Sequence, residues 1–109
     1  ASNNRLLRST SSRRYKTDIR SVDVEQAYRA LDLDPVVYKS LADSDNKSLD
    51  WFGLIAEEVA EIFPRLVHYI EIGGKMVPDG VQYDRLPVLL LPVIKNIVTR
   101  IQSIESRLQ

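Results

Sequence analysis

The sequence predicts a small α+β domain in which short strands and a hairpin alternate with short helices and a long C-terminal helix closes the chain. Three observations carry this expectation. Two β-rich runs, VVY after Pro35 and VHYIEI before Gly73-Gly74, are each bounded by turn-forming residues. The stretch WFGLIAEEVAEIFPRLV holds apolar residues at helical spacing with glutamates off the stripe. From Leu90 to Leu108 the apolar residues step alternately by four and three, as in a heptad seam.

In order along the chain, residues 1–12 are rich in Ser, Asn and Thr, with only Leu6 and Leu7 strongly apolar, and are expected to be irregular. Val22 to Leu33 reads as a short helix, with Asp23 as cap, Glu25 and Gln26 in its first turn, and Pro35 ending it. DPVVYKSL reads as a strand, and the polar run Asp43–Asp50 as a surface loop. A helix is predicted over WFGLIAEEVAEIF, carrying Phe52, Ile55, Val59 and Ile62 on one stripe until Pro64 stops it. Val67–Ile72 and Lys75–Val77 form the expected hairpin about Gly73-Gly74, followed by a turn at Pro78-Asp79-Gly80. Pro87 suits the first turn of the last helix, whereas Pro92 removes a donor and predicts a kink or a later start.

A chain of 109 residues makes one domain with a modest core. Its net charge of zero conceals an asymmetry. Residues 1–20 carry Arg5, Arg8, Arg13, Arg14, Lys16 and Arg20 against Asp18, a balance of +5, which leaves −5 for the rest. A basic arm suggests a polyanion partner, but Tyr15 is the only interleaved aromatic and the body is acidic, so nucleic acid is a disfavoured partner. With no cysteine there is neither a disulfide framework nor a thiolate metal site, and His68, the sole histidine, cannot build a multi-histidine site. No metal or cofactor is expected. Glu57, Glu58 and Glu61 read as a solvated helix face rather than as paired catalytic carboxylates. The sequence shows no leader and no uninterrupted apolar run near 20 residues, so no membrane partner is expected.

The C-terminal seam is formed by Leu90, Ile94, Ile97, Ile101, Ile104 and Leu108. Isoleucine occupies both the a positions (Ile94, Ile101) and the d positions (Ile97, Ile104). That choice shifts preference from two strands towards three or more, and a homotrimeric coiled coil is the first expectation. The alternative is a single amphipathic helix lying on its own domain.

Four ordered stretches carry a resemblance: SSRRYKTDI (Ser11–Ile19), LDPVVY (Leu33–Tyr38), GLIAEEVAEIFPRLV (Gly53–Val67) and YDRL (Tyr83–Leu86). Together they resemble the intramolecular chaperone auto-processing domain found at the C-terminus of phage tailspikes, tail fibres and neck appendages. Two departures stand out: Ser12 where the pattern has aspartate, and Glu57 where it has glutamine. The resemblance implies a division into an upstream client-side segment (1–10), a processing body (11–86) and a coiled-coil helix (87–109). It further implies a domain that trimerises and assists folding of an upstream β-helical or fibrous viral tail protein. That domain then frees itself by serine–lysine autoproteolysis, with Ser11 as nucleophile and Lys16 as base. Its expected location is a tail precursor in the host cytoplasm, cut off and absent from the mature virion. A folding module that has lost its protease activity is the alternative.

The chemistry sets its own demands. A serine hydroxyl needs a base to take its proton, and a lysine serves only when neutral, which requires its ordinary pKa of about 10.4 to fall through desolvation or neighbouring cations. Arg13, Arg14 and Arg20 supply cations near Lys16 in sequence. Residues five apart face oppositely on a strand and lie about 140° apart on a helix, so Ser11 and Lys16 meet only across a bend or between subunits. Ser9 and Ser12 are the fallback nucleophiles. The bond before Ser11 is the simpler target, and the bond after it stays open.

Overall fold

The computed structural model describes residues 11–109; the expectations for residues 1–10, including Ser9 as a fallback nucleophile and most of the irregular segment, lie outside the described residues. After a one-turn 3-10 helix at Arg13–Tyr15 come α1 (Val24–Tyr28), a 3-10 turn at Arg29–Asp32, β1 (Val36–Lys39) and β2 (Asp50–Gly53). Then follow α2 (Ala56–Ile62), a 3-10 turn at Pro64–Leu66, β3 (Val67–Ile72), β4 (Lys75–Val81) and α3 (Leu86–Arg107). The strands make two separate antiparallel pairs, β1 with β2 and β3 with β4. This is the expected α+β architecture ending in a long helix.

Local physics explains most boundaries. The Asp23 carbonyl, not its side chain, opens α1 by accepting the Ala27 N–H at 3.0 Å. The helix then tightens into the 3-10 turn because Pro35 drives Asp34 out of the helical region. The Asp43–Asp50 loop folds around two side chains: Ser40 donates to Asp45 Oδ2 at 2.6 Å, and the Ser48 N–H and hydroxyl both reach Asn46 Oδ1. Gly73 and Gly74 turn the second hairpin with φ of 59° and 82°, a region that glycine enters without strain.

Four expectations need correction. Trp51, Phe52 and Gly53 belong to a strand, not to the middle helix: Val36 pairs with Gly53, Val37 with Phe52, and Tyr38 with Trp51. The helix starts only at Ala56, and Phe52 stands 83% exposed instead of on a buried stripe. Pro78-Asp79-Gly80 lies inside β4. Tyr69 pairs with Pro78 and His68 with Gly80, so Asp79 is the extra residue of a bulge, which lets a proline sit in a strand. Helix α3 starts at Leu86, ahead of Pro92, and continues past it to Arg107, so the later start is not taken. Being 22 residues long with an 18-residue window of mean hydropathy 1.2, α3 also reaches the length and composition that can cross a membrane, against the expectation that nothing here would. Its apolar residues lie along a stripe, with Lys95, Asn96, Thr99, Arg100, Gln102 and Ser103 off it.

The core is as small as predicted. Val59, Leu66 and Val67 form its centre, packed by Leu33, Leu54, Phe63, Val81, Leu86 and Leu89. Ala27 of α1 and Ala30 of the 3-10 turn that follows it are buried, and Val93 is buried on α3. The small alanines allow α1 to approach α3 closely, and the Tyr28 hydroxyl donates to Asn96 Oδ1 at 2.5 Å across that contact. Leu86, Leu89, Val93 and Asn96 thus face the home domain. From residue 97 onward every residue of the chain is exposed.

Candidate functional site

The segment from Ser11 to Asp23 is a strap with one turn of helix near its start. Ser12 caps that turn: its hydroxyl accepts the Arg14 N–H at 3.4 Å and the Arg14 guanidinium at 3.3 Å. Serine and aspartate are comparable N-caps, so Ser12 serves the same local purpose an aspartate would. The Lys16 N–H closes the turn on the Arg13 carbonyl at 3.0 Å, and the Arg14 guanidinium lies 4.8 Å from the Tyr15 ring centre. Ser11 and Lys16 therefore stand on either side of a bend, both exposed.

After Lys16 the strap reverses. Asp18 takes a left-handed backbone conformation, φ 53°, and its carbonyl accepts the Arg20 guanidinium at 3.1 Å. Aspartate tolerates this region better than most residues because it is short and polar. The reversal bends residues 16–23 around an open groove of about 840 Å³ whose other walls are Gln26 on α1 and Leu89 on α3. Lys16, Asp18 and Arg20 line the groove, whereas Ser11 does not. A second groove of about 370 Å³ shares Val22, Gln26 and Leu89 with it and is walled by Ile62, Phe63, Pro64 and Leu66.

The remaining candidates stand apart from this strap. His68 is exposed on β3 opposite Gly80. Glu57, Glu58 and Glu61 are exposed on α2, and among the described residues no group of three metal-ligating side chains converges. The seam residues are open to solvent: Ile94 is 55% exposed, Ile97 37%, Ile101 50%, Ile104 53% and Leu108 82%, with Leu90 half-buried. The stripe is thus turned away from its own domain. The part of α3 seated on its own domain uses Leu86, Leu89, Val93 and Asn96 rather than the seam.

Sequence reasoning missed the Tyr28–Asn96 bond, Leu89 as a groove wall and the capping function of Ser12. Ser12 and Asp18 carried local signals, a polar cap and a residue tolerant of positive φ. Tyr28 and Asn96, 68 positions apart, carried none.

None of the curated proteins matches the chain. The family model described as chaperone of endosialidase, a peptidase family, matches residues 11–68. That range takes in the blocks Ser11–Ile19, Leu33–Tyr38 and Gly53–Val67. The fourth block, Tyr83–Leu86, lies beyond it but is tied to the third by the Tyr83 hydroxyl, which accepts the Leu54 N–H at 2.9 Å. With more than half of its length matched, the chain belongs to the chaperone-of-endosialidase family of peptidases.

Proposed function

We propose that this domain is an intramolecular chaperone for a fibrous or β-helical viral tail protein lying upstream in the same polypeptide. In this reading three copies assemble along Leu90, Ile94, Ile97, Ile101, Ile104 and Leu108, hold the client chains together, and are then released by autoproteolysis. Ser11 attacks a neighbouring backbone carbonyl carbon while Lys16, as the base, accepts the hydroxyl proton. The leaving amine takes a proton as the peptide bond breaks, and water hydrolyses the resulting ester. Residues 1–10 then fall on the client side, 11–86 form the processing body and 87–109 the coil. The body and the coil act as one unit because Val93 is buried and Asn96 is bonded to Tyr28 of α1. Released after assembly in the host cytoplasm, the domain is absent from the finished particle.

The observation that carries this reading is the family match, which spans both Ser11 and Lys16. Two features support assembly. The stretch of α3 beyond residue 97 extends about 15 Å without touching its own domain, and so short a helix is marginal in water by itself. Its isoleucines are exposed on one stripe, an arrangement that a second and third helix would bury. Assembly would also bring one subunit's strap beside another's, which would link cutting to trimer formation.

The test is a denaturing gel of the domain expressed with its upstream client, as the natural sequence and as Ser11→Ala and Lys16→Ala. Two bands for the natural chain and one for each variant are expected. Two bands persisting in Ser11→Ala would remove that residue from the role of nucleophile. A single band in all three chains, all of them trimeric, would favour the protease-inactive folding module.

A further inference from the structure

We infer that an ion pair between Arg100 of one chain and Glu105 of a second copy sets the direction and register in which the C-terminal helices associate. This inference rests on the assembly proposed above and specifies the geometry of its interface. With Ile94 and Ile101 at a and Ile97 and Ile104 at d, the flanking g positions are Val93, Arg100 and Arg107, and the e positions are Leu91, Val98 and Glu105. Val93 is buried against its own domain, so the first g position free to meet another chain is Arg100. Arg100 lies beside the seam, lining a shallow groove of about 220 Å³ with Ile97, Ile101 and Ile104. Both Arg100 and Glu105 are exposed, and the ion pairs formed among the described residues are Lys39–Asp50 and Lys47–Asp43, which leaves these two charges outside any ion pair with the described residues.

In a parallel, in-register pair of helices a g residue flanks the partner's e residue of the following heptad, five positions further on. Arg100 then meets Glu105 of the second copy. In an antiparallel pair g faces g and e faces e, which sets Arg100 and Arg107 of one chain against the same arginines of the other. Opposite charges thus favour one direction and like charges penalise the other, a division of labour in which apolar a and d residues supply adhesion and charged e and g residues supply orientation. Leu91 and Val98 at e also widen the apolar face, as suits an assembly of more than two helices.

The experiment uses the full chain. Because the sequence has no cysteine, Ile104→Cys introduces a single thiol, and mild oxidation joins two chains only where identical d residues face each other. Alongside it, Arg100→Glu, Glu105→Arg and the double swap are compared by sedimentation equilibrium at low and high salt. The expected result is a disulfide-linked pair from Ile104→Cys and assembly weakened roughly tenfold or more by either single swap. Affinity should return in the double swap, and the differences should shrink in 1 M salt, where exposed charges are screened beyond about 3 Å. Normal assembly of both single swaps, or a double swap that stays weak, overturns the ion pair while leaving the trimer intact. Assembly without the disulfide overturns the parallel register. Lone chains of the natural sequence at working concentration overturn the underlying assembly itself.

Discussion

The Tyr83 hydroxyl oxygen lies 2.9 Å from the Leu54 nitrogen and accepts its N–H, while its own proton is directed to the Leu54 carbonyl at 3.4 Å. This double contact draws the ring across Gly53, where a Cβ would meet Tyr83 Oη at 2.9 Å and Tyr38 Cε1 at 3.1 Å. Gly53→Ala is therefore expected to displace both rings and destabilise the domain by about 1–3 kcal/mol, read as a lowered thermal midpoint. Tyr83→Phe loses the hydrogen bonds alone, about 0.5–1.5 kcal/mol. A Gly53→Ala variant that melts with the natural chain would show that neither ring is held against the β2 end.

Asp18 makes a backbone prediction. Its φ of 53° suits glycine and opposes β-branched residues. Asp18→Gly should unfold within about 0.5 kcal/mol of the natural domain, and Asp18→Val should lose about 1–2 kcal/mol. Because the reversal carries Lys16 into the groove, Asp18→Val should also slow self-cleavage. Unchanged cleavage in a folded Asp18→Val chain would separate the turn from the chemistry.

Charges on the seam should act on assembly and spare the fold. Ile97 and Ile101 are exposed and contribute nothing to the core around Val59. The double variant Ile97→Asp/Ile101→Asp is expected to sediment as single chains with its tertiary near-ultraviolet signal intact, and to remain uncut. Efficient cutting by those single chains would show that processing needs only one subunit.

The Tyr28–Asn96 bond is the polar tie between α1 and α3. Tyr28→Phe should cost about 0.5–1.5 kcal/mol by denaturant titration, because Asn96 then loses its partner at a partly buried site. If Tyr28→Phe trimerises normally yet cuts slowly, the tie also carries information from the coil to the strap.

Most elements could be read locally. The β3–β4 hairpin was legible because β-branched residues flank a glycine pair, and the seam because its period runs undisturbed from Leu90 to Leu108. Trp51–Gly53 was misread because Phe52, Ile55, Val59 and Ile62 fit a helical stripe, and only pairing with Val36–Tyr38 across the loop assigns the first of them to a strand. Pro78 and Gly80 carry turn chemistry that the bulge at Asp79 absorbs. Within the candidate site, the roles of Ser11 and Lys16 follow only from the family resemblance, and the groove beside Lys16 was invisible. Its far wall, Leu89, comes from the other end of the chain.

Because α3 outruns the body that supports it, the proposed assembly should raise the amount of ordered backbone in this domain. On dilution its final turns should fray, and far-ultraviolet circular dichroism should trace a binding isotherm instead of a flat line. In the proposed trimer, secondary structure at this end becomes a headcount, complete only when the helices that bury the isoleucines have all arrived.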